Sequence, residues 1–223
     1  MIVYSARLTL HESLFFATRE VGRLYETGRY LHNYALTYAL NLAAAPYFHA
    51  EQAPRYAAEL TPLNEHGVYV TPARPVRAEY ALATFKYASN AYHVAMEKGS
   101  RNTPSFGRAK ELAVDSQFQF AVLSDSQRLR LPRWIRLGLW RSKAALEWEV
   151  AEARLEEEHR EQASLPLNPL DVQGELLAFD LISMPPSSLV DHVVLSSQWW
   201  VWESRGGTCR LPFGQQYTFG KVT

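Results

Sequence analysis

The chain has 223 residues, 47% hydrophobic and 13% aromatic, with 23 basic and 23 acidic residues and no formal net charge at pH 7. That composition excludes a disordered or disulfide-rich chain and leaves length for one large domain or two small ones with a sizeable core. The single cysteine, Cys209, cannot form an internal disulfide, which suits a reducing cytoplasm, and residues 1–13 lack the basic and apolar regions of a secretory signal.

In chain order, the alternation over residues 2–10 predicts a first strand. Residues 15–42 then gather Arg19, Arg23, Arg29, Tyr25, Tyr30, Tyr34, His32 and Asn33 around a turn and the start of a helix. Guanidinium groups make bidentate phosphate contacts, and tyrosine faces accept stacked bases. The helix is predicted over 30–45, ending before Pro46. It lacks formal charge, but Asn33, Thr37 and Asn41 draw a polar stripe along it, so it reads as a core helix and not a membrane span. Residues 46–75 carry five prolines and read as an insertion with a short strand at 68–70.

Strands are predicted at 92–96 and 117–123, joined by the turn-rich stretch 100–108. A hairpin is expected over 134–139 and 145–150, bending near Gly138, while the Glu, Ala and Arg content of 149–162 lets a solvated helix compete there. Proline-punctuated loops follow at 165–174 and 184–188, and a hairpin over 198–203 and 208–212 closes the chain. Dominant strands with an early helix predict an α+β fold built on an antiparallel sheet.

The neutral total hides an uneven distribution. Residues 98–143 hold ten basic residues against three acidic ones, and much of the balancing charge lies in 147–161. A polyanion responds to the local field of the face it touches, so a nucleic-acid partner stays open. Residues 100–110 combine hydroxyls, an amide, glycine backbone and the cations Arg101, Arg108 and Lys110, a set suited to phosphate oxygens. Arg136, Trp140, Arg141 and Lys143 cluster around Gly138, and Phe85-Lys86-Tyr87 sets a cation between aromatics. Phe118 and Phe120 share a strand face, as do the stacking aromatics of an RRM, but no RRM signature octamer accompanies them and core packing is favoured. The same holds for Trp199, Trp200 and Trp202. The histidines have no metal-ligand spacing, and phosphate-loop, dinucleotide and serine-nucleophile motifs are all missing, so neither a metal nor a cofactor is expected.

The strings FFATRE, GRLYET, YLHNYALTYALNL, FKYASNAYHV, SRNTPSFGRAKEL, LPRWIRLGLWRSK, LNPLDV and MPPSSLV, in that order between Phe15 and Val190, resemble the Cas-five-type (Csc-one) subunit of type I-D CRISPR effector complexes. The resemblance implies a modified ferredoxin-like (RRM-like) antiparallel sheet with inserted loops and hairpins. It also implies a single RAMP-type RNA-binding domain over 1–223, with the proline-rich stretch near 46–75 as an insertion. The function it implies is non-catalytic and cytoplasmic: capping the 5′ handle of the guide RNA and bridging the large subunit to the backbone. Target DNA and the protospacer-adjacent motif would lie nearby, and no membrane is involved. Residue type and position nominate Arg19, Arg23, Tyr25, His32, Asn33, Lys86, Tyr87, Arg101, Arg108, Lys110 and Arg136 as RNA contacts. The alternative is a metal-independent endoribonuclease cutting CRISPR precursor RNA. It needs only a base, an acid and a cation near the phosphate, roles open to His32, Tyr25 and Lys86. Some relatives in other subtypes process precursor RNA, whereas type I-D systems are expected to use a separate endonuclease.

Overall fold

A computed structural model describes residues 1–43, 54–86, 106–125 and 129–220. Strand β1 (Ile2–Leu10) is the central strand of the largest sheet, and its apolar residues are buried along its length. It pairs antiparallel with β8 (Gln117–Ser124) on one side and β10 (Ser142–Glu152) on the other. Two short strands, β4 (Tyr69–Val70) and β5 (Arg74–Arg77), add to β8, and β9 (Trp134–Leu137) pairs with β10 as the opposite outer strand. Phe118 and Phe120 lie fully inside, with Phe120 edge-on to Trp148 at 5.7 Å, so they pack and do not present a stacking platform.

The second sheet is organised by β13 (Leu189–Ser204), a 16-residue strand flanked by β11 (Arg154–Gln162), β12 (Leu176–Ile182) and β14 (Gly207–Pro212). Trp199 and Trp202 point into the core between the two sheets, where the Trp202 indole N–H donates to Ser5 Oγ at 3.1 Å. The helix that competes over 149–162 in the sequence does not form. Its first residues are held by β1, with Ile2 opposite Glu152, and the rest pair with β13. A ladder partner for each part of the segment outweighs the modest helix preference of Glu, Ala and Arg.

The proline-rich stretch is woven into the main core. Helix α2 (Tyr56–Leu60) and a 3₁₀ segment (Thr61–His66) bury Leu60 and Leu63, and the expected strand at 68–70 is β4. Helix α1 (Asn33–Ala39) is shorter than the predicted 30–45: His32 caps its start, and Leu40 then Asn41, at a left-handed φ of 58°, end it. The strand predicted at 92–96 lies outside the described residues, as do Tyr87 and Arg101. Among the described residues the protein is mostly strand with few helices, and no helix is long and apolar enough to cross a membrane.

A buried polar cluster fastens α1 to the rest. Asp171, 1% exposed, accepts bonds from Asn33 and Asn168 amides at 3.1 and 3.0 Å, and from Tyr69 and Tyr34 hydroxyls at 3.3 Å each. Burial lifts its carboxyl to about 6 even though those donors pull the other way. His32 Nδ1 accepts the Tyr34 N–H, which leaves the proton on Nε2 to donate to Ser187 Oγ at 3.0 Å; Ser187 in turn reaches Asn168. Burial pushes this imidazole down to about 4. Nearby, Asp191 is held below the usual carboxylate range: burial opposes its charge, but the Arg74 guanidinium, the His192 N–H and the Tyr30 hydroxyl outweigh it.

These buried groups make stability respond to pH in opposite senses. Asp171, raised in the folded state, favours folding as pH falls from about 6 towards 4, whereas His32, depressed, opposes folding as pH falls from 6.5 towards 4; each contributes on the order of 2–3 kcal/mol. Chemical denaturation at pH 4.5 and 7.0 should therefore give His32→Asn a stability gain on acidification relative to the parent, and Asp171→Asn a loss; parallel changes in both would contradict the assignment. Arg74→Met should cost about 3–5 kcal/mol at pH 7 by leaving Asp191 unpaired, and the cost should shrink as pH falls and that carboxylate is protonated.

Candidate nucleic-acid interface

A third, small sheet is assembled from distant parts of the chain. Strands β2 (Arg19–Val21) and β3 (Leu24–Glu26) form a tight hairpin turning at Gly22, whose φ is 62°. Strand β3 then pairs in parallel with β7 (Phe106–Leu112), which pairs antiparallel with β6 (Tyr80–Lys86). The sheet is mounted on the main body through Leu14, which exchanges backbone bonds with Leu112, and through Thr27, whose N–H donates to Lys110 O. Among its described residues only Leu112 enters the main hydrophobic core.

Partners across a ladder share a face, so the register sorts the side chains. One face carries Arg19, Glu26, Lys110, Leu82, Arg108 and Thr84. Arg19 Nε bonds Glu26 at 2.8 Å, and Lys110 lies 3.7 Å from the same carboxylate and 4.4 Å above the Tyr80 ring. The Arg19 bond, opposed by slight desolvation and aided by Lys110, holds Glu26 below its ordinary range. One carboxylate thus orients two cations without matching their charge. Leu82 is 61% exposed and Tyr80 40%, which leaves flat apolar surface between the cations. The opposite face carries Tyr25 and Phe85, ring centroids 6.2 Å apart, with Phe85 lying over Gly107 so closely that a Cβ there would meet the ring at 2.6 Å.

Five of the nominated residues, Arg19, Arg23, Tyr25, Arg108 and Lys110, therefore meet on this sheet or its turn, and Lys86 closes β6 opposite Phe106. Arg136 lies elsewhere, on β9, bonded to Glu12 at 3.0 Å. His32 and Asn33 belong to the buried cluster: they are 4% and 0% exposed, with their polar atoms occupied by Tyr34, Ser187, Tyr69, Asp171 and Asn168. They are corrected from surface contacts to structural groups, because polar side chains at the start of a core helix are needed to satisfy donors and acceptors there. Tyr30 and Tyr34 are likewise buried. The exposed Tyr80 and Leu82 were missed by sequence reasoning, since nothing in their local pattern tells which sheet they join.

The family model for "Type I-D CRISPR-associated protein Cas5/Csc1" matches residues 1–220. The chain belongs to this family. It is accordingly a CRISPR effector subunit of the type I-D class. Two solved structures resemble it at 10% identity. One is a chain of the type III-B Cmr-beta cryo-EM structure bound to cognate target RNA and AMPPnP (TM-score 0.44, covering 86% of each chain). The other is the crystal structure of a CRISPR protein from Archaeoglobus fulgidus (TM-score 0.48, covering 96% of this chain and 100% of that one). No curated protein matches.

Asn33→Ala should lower stability by about 1–3 kcal/mol, the cost of stranding buried partners, while leaving the polynucleotide affinity of the folded protein at the parent level. Denaturation and equilibrium binding measured on the same sample check this, and reduced affinity at unchanged stability would return Asn33 to the interface.

Proposed function

We propose that this type I-D subunit is a non-catalytic, cytoplasmic RNA-binding protein that caps the 5′ handle of the CRISPR guide RNA. In this reading it forms a single RAMP-type domain on a modified ferredoxin-like core and joins the large subunit to the backbone, with target DNA and the protospacer-adjacent motif close by. The observation that carries the reading is the small sheet, where Arg19, Arg108 and Lys110 share a face with the exposed Tyr80 and Leu82 from three separate stretches of sequence, while Tyr25 and Phe85 lie on the reverse face. Cations track a single-stranded backbone while aromatic and apolar faces receive its splayed bases. Membership of a CRISPR effector family supports guide RNA as the polyanion.

The burial of His32 supports the non-catalytic reading over the endoribonuclease alternative. His32 is enclosed, both ring nitrogens are engaged, and burial keeps it neutral down to about pH 4. A general base must reach the 2′-OH of its substrate, and this one faces inward.

Binding of a repeat-derived 5′-handle RNA by the purified chain, and by the reconstituted complex, tests the reading. Reversing Arg19, Arg108 and Lys110 together to Glu should weaken binding on the order of 100-fold and flatten the salt dependence by roughly 0.7 in slope for each phosphate the protein no longer neutralises. No cleavage should accompany binding in the parent. RNA cleavage abolished by Tyr25→Phe or His32→Asn with binding intact would overturn it in favour of the endoribonuclease.

A further inference from the structure

Beside the start of α1 lies an apolar pocket of about 290 Å³, near the lower end of the size range of ligand sites. Leu14, Leu31, Leu137, Leu139, Met184 and Pro186 line it, drawn from four separate stretches of the chain. His32 also borders it, but both ring nitrogens are engaged elsewhere. Ala17 and Ala35 line the pocket and are exposed, so they form part of its lip.

The surface next to the pocket is apolar as well. Leu139 is 67% exposed and Trp140 50%, and the Trp140 ring rests on Phe15 with centroids 4.7 Å apart. Cations border this area. An open groove of about 730 Å³ between α1 and β9 shares Ala35, Leu137 and Gly138 with the pocket and carries Arg130, Arg136 and Arg141. Arg136 donates to Glu12 and to the Arg141 carbonyl, at 3.0 Å each. Among the described residues no carboxylate pairs with Arg130 or Arg141.

Two physical arguments select the occupant. A nucleobase carries donors and acceptors around its rim, and sinking it among aliphatic side chains would strand them, whereas a leucine or phenylalanine side chain enters without that penalty. An apolar centre bordered by arginines and an exposed indole is the anatomy of a protein contact, with the anchor buried and the charges at the rim. Charge complementarity with Arg130 and Arg141 then makes the incoming segment acidic.

We propose that the pocket is a protein-docking site, which receives one bulky apolar side chain from an acidic segment of a neighbouring effector subunit, the carboxylates of that segment lying on Arg130 and Arg141. The inference rests on membership of an effector family and not on handle capping, which concerns the small sheet.

The test puts the photo-cross-linking residue p-benzoylphenylalanine in place of Leu139 in the full chain, within the reconstituted effector complex, and maps the adducts by mass spectrometry. The expected adduct joins a neighbouring subunit at a bulky apolar residue flanked by Asp or Glu. A peptide copying that segment is then titrated against the purified chain. Changing its apolar residue to Ala should weaken binding about 30-fold or more, the threshold of an interface hot spot. Ala35→Trp, which fills the pocket mouth, and Leu139→Asp, which repels the carboxylates, should each cost a comparable factor. Arg141→Glu should weaken binding more at low salt than at high salt. The Ala35 and Leu139 side chains are exposed, so both variants should keep the parent's thermal stability and its affinity for handle RNA. Absence of handle binding in the parent would overturn the capping reading alone. Adducts confined to RNA, to the same chain or to a segment without acidic residues would overturn the docking site. So would the absence of any adduct, or unchanged peptide affinity in both Ala35→Trp and Leu139→Asp.

Discussion

Asp171 sits where water does not reach, and its carboxylate must be satisfied entirely by the protein. Its donors come from α1, from β4 and from Asn168, while Phe219 approaches from the C-terminal segment. Tyr217 extends the same cluster to Thr37 and to the Val70 backbone. An unpartnered charge in that position would cost several kcal/mol, so these segments can only assemble together. The network thus sets the position of α1, which in turn forms one wall of the groove along β9.

The division between interior and surface chemistry follows from this constraint. Histidine, asparagine and tyrosine at the start of α1 have the residue types of a nucleic-acid surface, yet the helix is packed on most sides and its polar groups must be spent internally. The residues left for a ligand are those on elements that the core does not surround. The small sheet hangs on Leu14, Thr27 and Leu112, and β9 is an outer strand; both present cations beside exposed aromatic rings.

Net charge is a poor guide to such a protein. The acidic stretch 147–161 occupies β10 and β11, where Glu residues line the solvent side of strands paired to β1 and β13. Among the described residues of the basic stretch, Arg108 and Lys110 lie on β7, Arg136 on β9, Arg141 in the turn that follows and Lys143 at the start of β10. Phosphates respond to the field over distances of about a Debye length, roughly 8–10 Å at physiological salt, so a neutral chain can hold strongly basic faces.

The sequence by itself determined much of the local structure. The first strand, the β4 strand, the β9–β10 bend at Gly138 and the closing hairpin could be read directly, because alternation and turn residues act within a few positions. The order of family motifs carried the family. What the sequence did not determine was which elements meet. Glu-rich residues 149–162 became strands because β1 and β13 offered ladders to them, and α1 ended at Leu40 because Asn41 turns the backbone left-handed. The candidate site shows the same split. Arg19, Arg108 and Lys110 were legible as phosphate-binding types, but their shared face depends on the parallel pairing of β3 with β7, some eighty residues apart. His32 and Asn33 looked equally suitable until burial decided otherwise. Residue chemistry is local and visible in a string; solvent access is a property of packing, and only the tertiary structure could assign it.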